Sequence, residues 1–148
     1  KVMDFMKLMW RKYKMFDWKA PTVQMLGRWQ PWHKGHTELF IRAYSKTGQV
    51  LIMCRDVFNS DEMPEGQDDN PFGFKDVSDG IEEGLSKEGF TKGEEYDIIL
   101  VPNIVDISYG RGVGYTFTEH DLGKDIHKIS ATNIRNEMRK EGKLANKS

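Results

Sequence analysis

The chain has one cysteine, five prolines, no long apolar run and almost no net charge, and each shortage removes a class of protein. A lone Cys54 can form neither an intrachain disulfide nor a cysteine cluster for zinc. It lies in the apolar run of residues 50–54, which reads as buried, so a reducing, cytoplasmic setting is expected. No stretch approaches the roughly 20 apolar residues that span a bilayer, so no membrane span is expected. Lys and Arg number 22 against 23 for Asp and Glu, a net charge of -1. That balance speaks against a general polyanion binder, and no nucleic-acid partner is expected. Internal repeats and low-complexity tracts are also missing. What is present is 148 residues, 38% of them hydrophobic, enough for one domain that buries about two thirds of its unfolded surface.

Hydrophobic periodicity divides the chain into residues 1–20, an amphipathic helical extension, and residues 21–148, a single domain. In the extension, Met3, Met6, Met9, Trp10 and Tyr13 recur at spacings of three and four, with Lys7, Arg11, Lys12 and Lys14 largely elsewhere. That apolar stripe is expected to pack on the domain or on a second copy of the chain, giving a possible homo-oligomer. Within the domain, residues 22–28 read as a short strand. His36, Leu39, Phe40, Ala43 and Tyr44 mark a helix that Gly48 ends, and residues 49–55 form a strand whose continuous apolar run suggests cover on both faces. Phe74, Val77, Ile81 and Leu85 mark a second helix, residues 96–101 a third strand and residues 126–129 a short fourth one. A last helix carries Ile134 and Met138, with Ser130 or Thr132 as its N-cap and Gly142 past its end. Alternating strands and helices predict an α/β fold, a mostly parallel sheet flanked by helices. Ligands of such sheets lie at the carboxyl ends of the strands.

Two segments fall at those ends and open helices. The first is Gly27-Arg28-Trp29-Gln30-Pro31-Trp32-His33-Lys34-Gly35-His36. Gly27 lets the backbone come close to a ligand, and Pro31 and Gly35 shape a turn. His33 and His36 sit three apart at a helix start, where both imidazoles and the helix dipole can face one anion, with Arg28 and Lys34 adding charge. The second is Lys128-Ile129-Ser130-Ala131-Thr132-Asn133-Ile134-Arg135. It offers two hydroxyls and free N–H groups at another helix start, and Arg135 one turn inward can grip phosphate oxygens in a fork. Together they equip a polyphosphate site, and in particular nucleotidyl transfer, where positioning and charge stabilisation suffice without a covalent intermediate.

These residues carry a resemblance. His33-Lys34-Gly35-His36 fits a His-x-Gly-His signature and residues 129–135 an Ile-Ser-x-Thr-x-x-Arg signature, so the chain resembles the nucleotidyltransferase superfamily of nicotinamide-mononucleotide adenylyltransferases and cytidylyltransferases. The run from Gly27 to His36, Asn70-Pro71-Phe72, and Val101-Pro102 followed by Asp106 look most similar to the archaeal-type adenylyltransferase branch. The resemblance implies a Rossmann-like sheet, ATP or CTP with Mg2+ as cofactor, and a phosphorylated small-molecule acceptor. It implies that His33, His36 and Arg135 stabilise charge during transfer, with Arg28, Gln30, Lys34, Gly35, Ser130 and Thr132 binding nucleotide phosphates. Tyr109 stands where that branch stacks its acceptor on an aromatic residue, and Arg111 reads either as a further anion contact for the acceptor or as surface charge.

Other readings of the same residues stay open. His33 and His36 could bind a metal, although Cys54 is a poor third ligand. Trp29 and Trp32 could wall a base pocket or belong to the core. Asp56, Asp61 and Asp106 are candidate magnesium contacts, while the acids of residues 61–69 read mostly as solvated charges. A nucleotide-binding regulator or assembly module without turnover is the alternative function. The near-zero net charge is an average: residues 1–20 hold six basic and two acidic groups, and residues 56–95 hold 13 acids and three lysines.

Overall fold

A computed structural model of the chain describes residues 15–57, 69–112 and 114–146. The helix expected in residues 1–20 falls mainly in 1–14, outside the described residues. Three parallel strands, β1 (Val23–Gly27), β2 (Val50–Arg55) and β3 (Tyr96–Val101), form one sheet in the order β1-β2-β3. The register sets Val23 beside Val50 and Val50 beside Tyr96. Helix α1 (Lys34–Thr47) connects β1 to β2, and α2 (Phe74–Ser86) lies between β2 and β3. After β3 come a long irregular segment, a short helix α3 (Lys124–His127), and α4 (Ala131–Lys140).

The helices begin and end where local chemistry dictates. Gly48, at φ 84°, ends α1 in the left-handed region and donates its N–H to Tyr44 O. Ser130 caps α4, its Oγ accepting the Asn133 N–H at 3.0 Å. The core lies where α1 and α2 pack on the sheet: Phe40, Tyr44, Val50, Ile52, Ile81, Leu85, Phe90 and Tyr96 are all essentially inaccessible. Phe40, Tyr44, Phe90 and Tyr96 meet with ring centroids 5.0 to 6.1 Å apart, several edge to face. Cys54 is buried as expected, and burial pushes its thiol up to about 11, which leaves it unreactive.

Two expectations are corrected. Along β2, Val50, Ile52 and Cys54 are buried while Leu51, Met53 and Arg55 are only half-covered. Strand pleating sends successive side chains to opposite faces, and α1 and α2 contact one another on the same face. Residues 126–129 form no fourth strand; Lys124–His127 is a helical turn. His127 N–H donates to Gly123 O and Lys128 N–H to Lys124 O, so local bonds satisfy the backbone that a strand would have to pair with a neighbour. Ile126 and Ile129 are three apart, which puts them on one side of a helical turn but would send them to opposite faces of a strand.

Gln49 fastens the chain entering β1. Its buried amide accepts the Asp17 N–H at 3.0 Å and donates to Asp17 O and Thr22 Oγ1, at 2.7 and 2.5 Å. Among the described residues, no helix is long and apolar enough to cross a membrane.

Candidate active site

The turn after β1 is built around two indoles. Trp29 has φ 54°, a left-handed conformation that is sterically costly for a bulky residue. Its ring is nevertheless locked: 6% exposed, with Nε1 donating to Met53 O at 3.2 Å. Gly27 makes room for it. A Cβ at Gly27 would come within 2.8 Å of the Trp29 ring, so the close approach expected for a ligand is in fact taken by the protein's own indole. Gly84 of α2 likewise accommodates Trp32, which donates from Nε1 to Thr37 Oγ1 at 2.8 Å. Both tryptophans are therefore core residues. Gly27→Ala is expected to destabilise the fold by about 1–3 kcal/mol, because the indole cannot retreat without losing its hydrogen bond and its packing. Urea unfolding measures this; an unchanged midpoint would show that the ring is free to move.

On these indoles stand the two histidines. His33 is the N-cap of α1, and its Nδ1 accepts the Gly35 N–H at 3.0 Å. His36 closes the box from the other side, its Nδ1 accepting the His33 N–H at 3.1 Å. A ring nitrogen that accepts a backbone N–H carries no proton, so both imidazoles hold theirs on Nε2. The rings stack at 3.6 Å, and His36 meets Trp29 edge-on at 4.8 Å and Trp32 at 5.3 Å. Burial, and then the neighbouring His33 charge, push the His36 pKa down to about 3; burial lowers that of His33 as well. Both are neutral donors at physiological pH. Gly35 is required by this arrangement, since a Cβ there would lie 2.9 Å from His33 Cε1 and 3.4 Å from Ile126.

Arg135, in the first turns of α4, joins the second motif to the first. It is 3% exposed, and its Nη1 donates to Gln30 O at 2.7 Å, across 105 residues of sequence. Nη2 donates to Thr132 Oγ1 at 3.2 Å and lies 3.6 Å from Asp69 Oδ1. Burial lowers its pKa, but a guanidinium in this setting stays charged. The structure thus brings together His33, Gly35, His36, Ser130, Thr132 and Arg135 at the starts of α1 and α4. Arg28 belongs to the same neighbourhood, since it donates to the Oδ1 of Asn70, adjacent in sequence to Asp69, at 3.2 Å. Lys34 is exposed at the first position of α1.

Gln30 has another role than the phosphate contact expected of it. Its Nε2 donates to Phe72 O at 3.0 Å and its Oε1 accepts the Phe72 N–H at 2.9 Å, so both ends of the buried amide hold the approach to α2. Nothing in the sequence marks that pairing, which spans 42 residues.

Beyond the carboxyl ends of β1 and β2 lies an open cleft of about 700 Å³. Leu26, Ile104, Val105, Ile107, Tyr109 and Phe117 supply apolar walls, with Arg55 and Asp106 as charged members. Tyr109 and Phe117 stack at 5.2 Å. Arg55 donates to Asn103 Oδ1 from Nη2 and Nε, at 2.8 and 3.2 Å. Arg111 is exposed and does not line this cleft. His120 and His127 lie away from the histidine pair in sequence, and His127 accepts the Leu122 N–H. Among the described residues, no three His, Cys, Asp or Glu side chains gather in a way that could hold a metal ion, and Asp61 lies outside the described residues. Compared with known protein families, curated proteins and solved structures, the chain matches none.

Proposed function

We propose that this chain is a Rossmann-like nucleotidyltransferase that moves a nucleoside monophosphate, adenylyl in preference to cytidylyl, from a nucleoside triphosphate to a phosphate-bearing small acceptor. The observation that carries the reading is the buried 2.7 Å bond from Arg135 to Gln30 O, which ties the first turns of α4 to the turn that leads into α1 and its two imidazoles. Each element is an anion binder by its chemistry, and their convergence suits several phosphates at once. The strained Trp29 beneath the histidines is the kind of outlier that clusters at functional sites.

In the reaction, an oxygen of the acceptor phosphate attacks the α-phosphorus, the bond from that phosphorus to the bridging oxygen of the β-phosphate breaks, and pyrophosphate departs with the electron pair. The attacking group is already anionic, so no base is needed. His33 and His36 offer Nε2–H groups to oxygens that gain charge in the transition state, and bound phosphate raises their pKa values by adding an opposite charge. Ser130, Thr132 and Arg135 hold the β- and γ-phosphates. Arg28 and Lys34 supply charge at the entrance. The cleft behind Tyr109 and Phe117 receives the acceptor, and its apolar walls suit one with an apolar or flat group. Magnesium belongs to the substrate, arriving chelated by the triphosphate.

Pyrophosphate release tests this directly, with ATP or CTP, magnesium, and phosphate monoesters that carry apolar groups. Release with ATP in excess of CTP is expected. Tight nucleotide binding with no release for any acceptor would make the chain a binding module instead.

A further inference from the structure

Three anchors tie residues 69–72 to the proposed anion site: Asp69 to Arg135, Asn70 to Arg28 and Phe72 to Gln30. Asp69 differs from the other two because it brings a carboxylate to the guanidinium assigned to phosphate. The Arg135 side chain is 4% exposed, whereas that of Asp69 is 71% exposed, so Asp69 stands on the solvent side of the cation. The Gln30 carbonyl holds the guanidinium from the buried side, at 2.7 Å. The contact with Asp69 is looser, 3.6 Å, an ion pair without a hydrogen bond. Two further guanidiniums, Arg28 and Arg139, lie close enough to repel Arg135 electrostatically, while Asp69 attracts it.

We infer that Asp69 is the resident counter-ion of the anion site, holding the place of a phosphate at Arg135, and that an incoming polyphosphate must displace it. This rests on the phosphate-binding reading of Arg135. A carboxylate presents two oxygens to the fork as a phosphate does, but with less charge and fewer acceptors, so a triphosphate that also engages the two helix N-termini outcompetes it. A singly bound anion gains less from the exchange. Asp69 thereby sets the affinity threshold of the site and keeps a buried cation neutralised while no ligand is present.

Calorimetric titration with inorganic tripolyphosphate, in low-salt buffer with the divalent cations chelated, tests the inference without any need for turnover. Asp69→Asn preserves shape and removes the charge, and because the side chain is exposed the fold should persist; Asp69→Ala serves as a second variant. Both are expected to bind tripolyphosphate about two- to fivefold tighter than the wild type, the range of an exposed ion pair. The gain should disappear when Asp69→Asn is combined with Arg135→Gln, and Asp76→Asn, an exposed acid in the first turn of α2, should give none. Unchanged or weaker binding in both Asp69 variants overturns the inference, as does an equal gain from Asp76→Asn or in the Arg135→Gln background. Failure of every form, wild type included, to bind tripolyphosphate would overturn the phosphate site itself together with the inference, an outcome distinct from binding that ignores Asp69.

Discussion

His36→Ala is expected to slow transfer at least about a hundredfold, by removing a donor to the charge that develops at the α-phosphate. It should also destabilise the fold by about 2 kcal/mol, because the same ring accepts the His33 N–H in the capping box and packs edge-on against Trp29. The structure gives the ring both jobs. Asparagine separates them. The Oδ1 of an asparagine at this position can still accept the His33 N–H, while the Nε2–H is lost. His36→Asn should therefore recover much of the stability lost in His36→Ala and none of the rate. Denaturant midpoints and single-turnover rates on the two variants test this, and near-normal turnover by either one would remove His36 from the mechanism.

The half-buried His36 imidazole also predicts a pH dependence with a definite sign. His36 has a folded pKa of about 3, below its unfolded value of about 6.5. Between these values the unfolded chain binds the extra proton, so the contribution of this group to stability is complete above about pH 6.5 and declines as pH falls toward 3. His33 is shifted in the same direction and adds to the slope. Going from pH 7 to pH 4.5, the wild type should lose up to about 2 kcal/mol more than His36→Asn. Equal losses in the two proteins would place the imidazole in water.

Arg135 is the second residue whose removal should have a large effect. Arg135→Met keeps length and apolar packing but strips Gln30 O and Thr132 Oγ1 of their donor and leaves Asp69 without its partner cation. A stability loss of about 1–3 kcal/mol follows from the buried carbonyl alone, and the transfer rate should fall by about a hundred- to a thousandfold through the missing phosphate contact. Arg135→Lys is instructive because a single ammonium on a flexible stem cannot replace a planar fork that reaches two acceptors at once. Its charge should restore part of the nucleotide affinity while stability remains low. Full recovery of both by lysine would show that only the charge matters and that the fork does not position the turn at Gln30.

The helix starts that carry the two histidines and Arg135 were legible because their signals are local. A cap residue, a glycine one position later and an imidazole at the third helical position announce a helix start within a few residues, and Ser130 does the same for α4. The roles of their neighbours were not legible. Gly27 reads as room for a ligand until the Trp29 indole is seen folded over it, and Gln30 reads as a ligand contact until both ends of its amide are found on Phe72. Asp69 reads as one solvated acid among many until its carboxylate is placed beside Arg135.

By itself the sequence determined the alternation β1-α1-β2-α2-β3, the last helix and the starts of α1 and α4, since hydrophobic period, caps and glycine stops act between residues a few positions apart. It did not determine residues 124–129, where so short a segment carries too little periodicity to separate a strand from a helical turn, nor which face of β2 would be fully buried. Only the tertiary structure decided which polar groups satisfy one another across 42 and 105 residues, because a buried amide or guanidinium takes whatever partner the packed chain brings within 3 Å of it. The balanced charge of the whole chain likewise became informative only in three dimensions, where Arg28, Arg135 and Arg139 share one neighbourhood and Asp69 answers them.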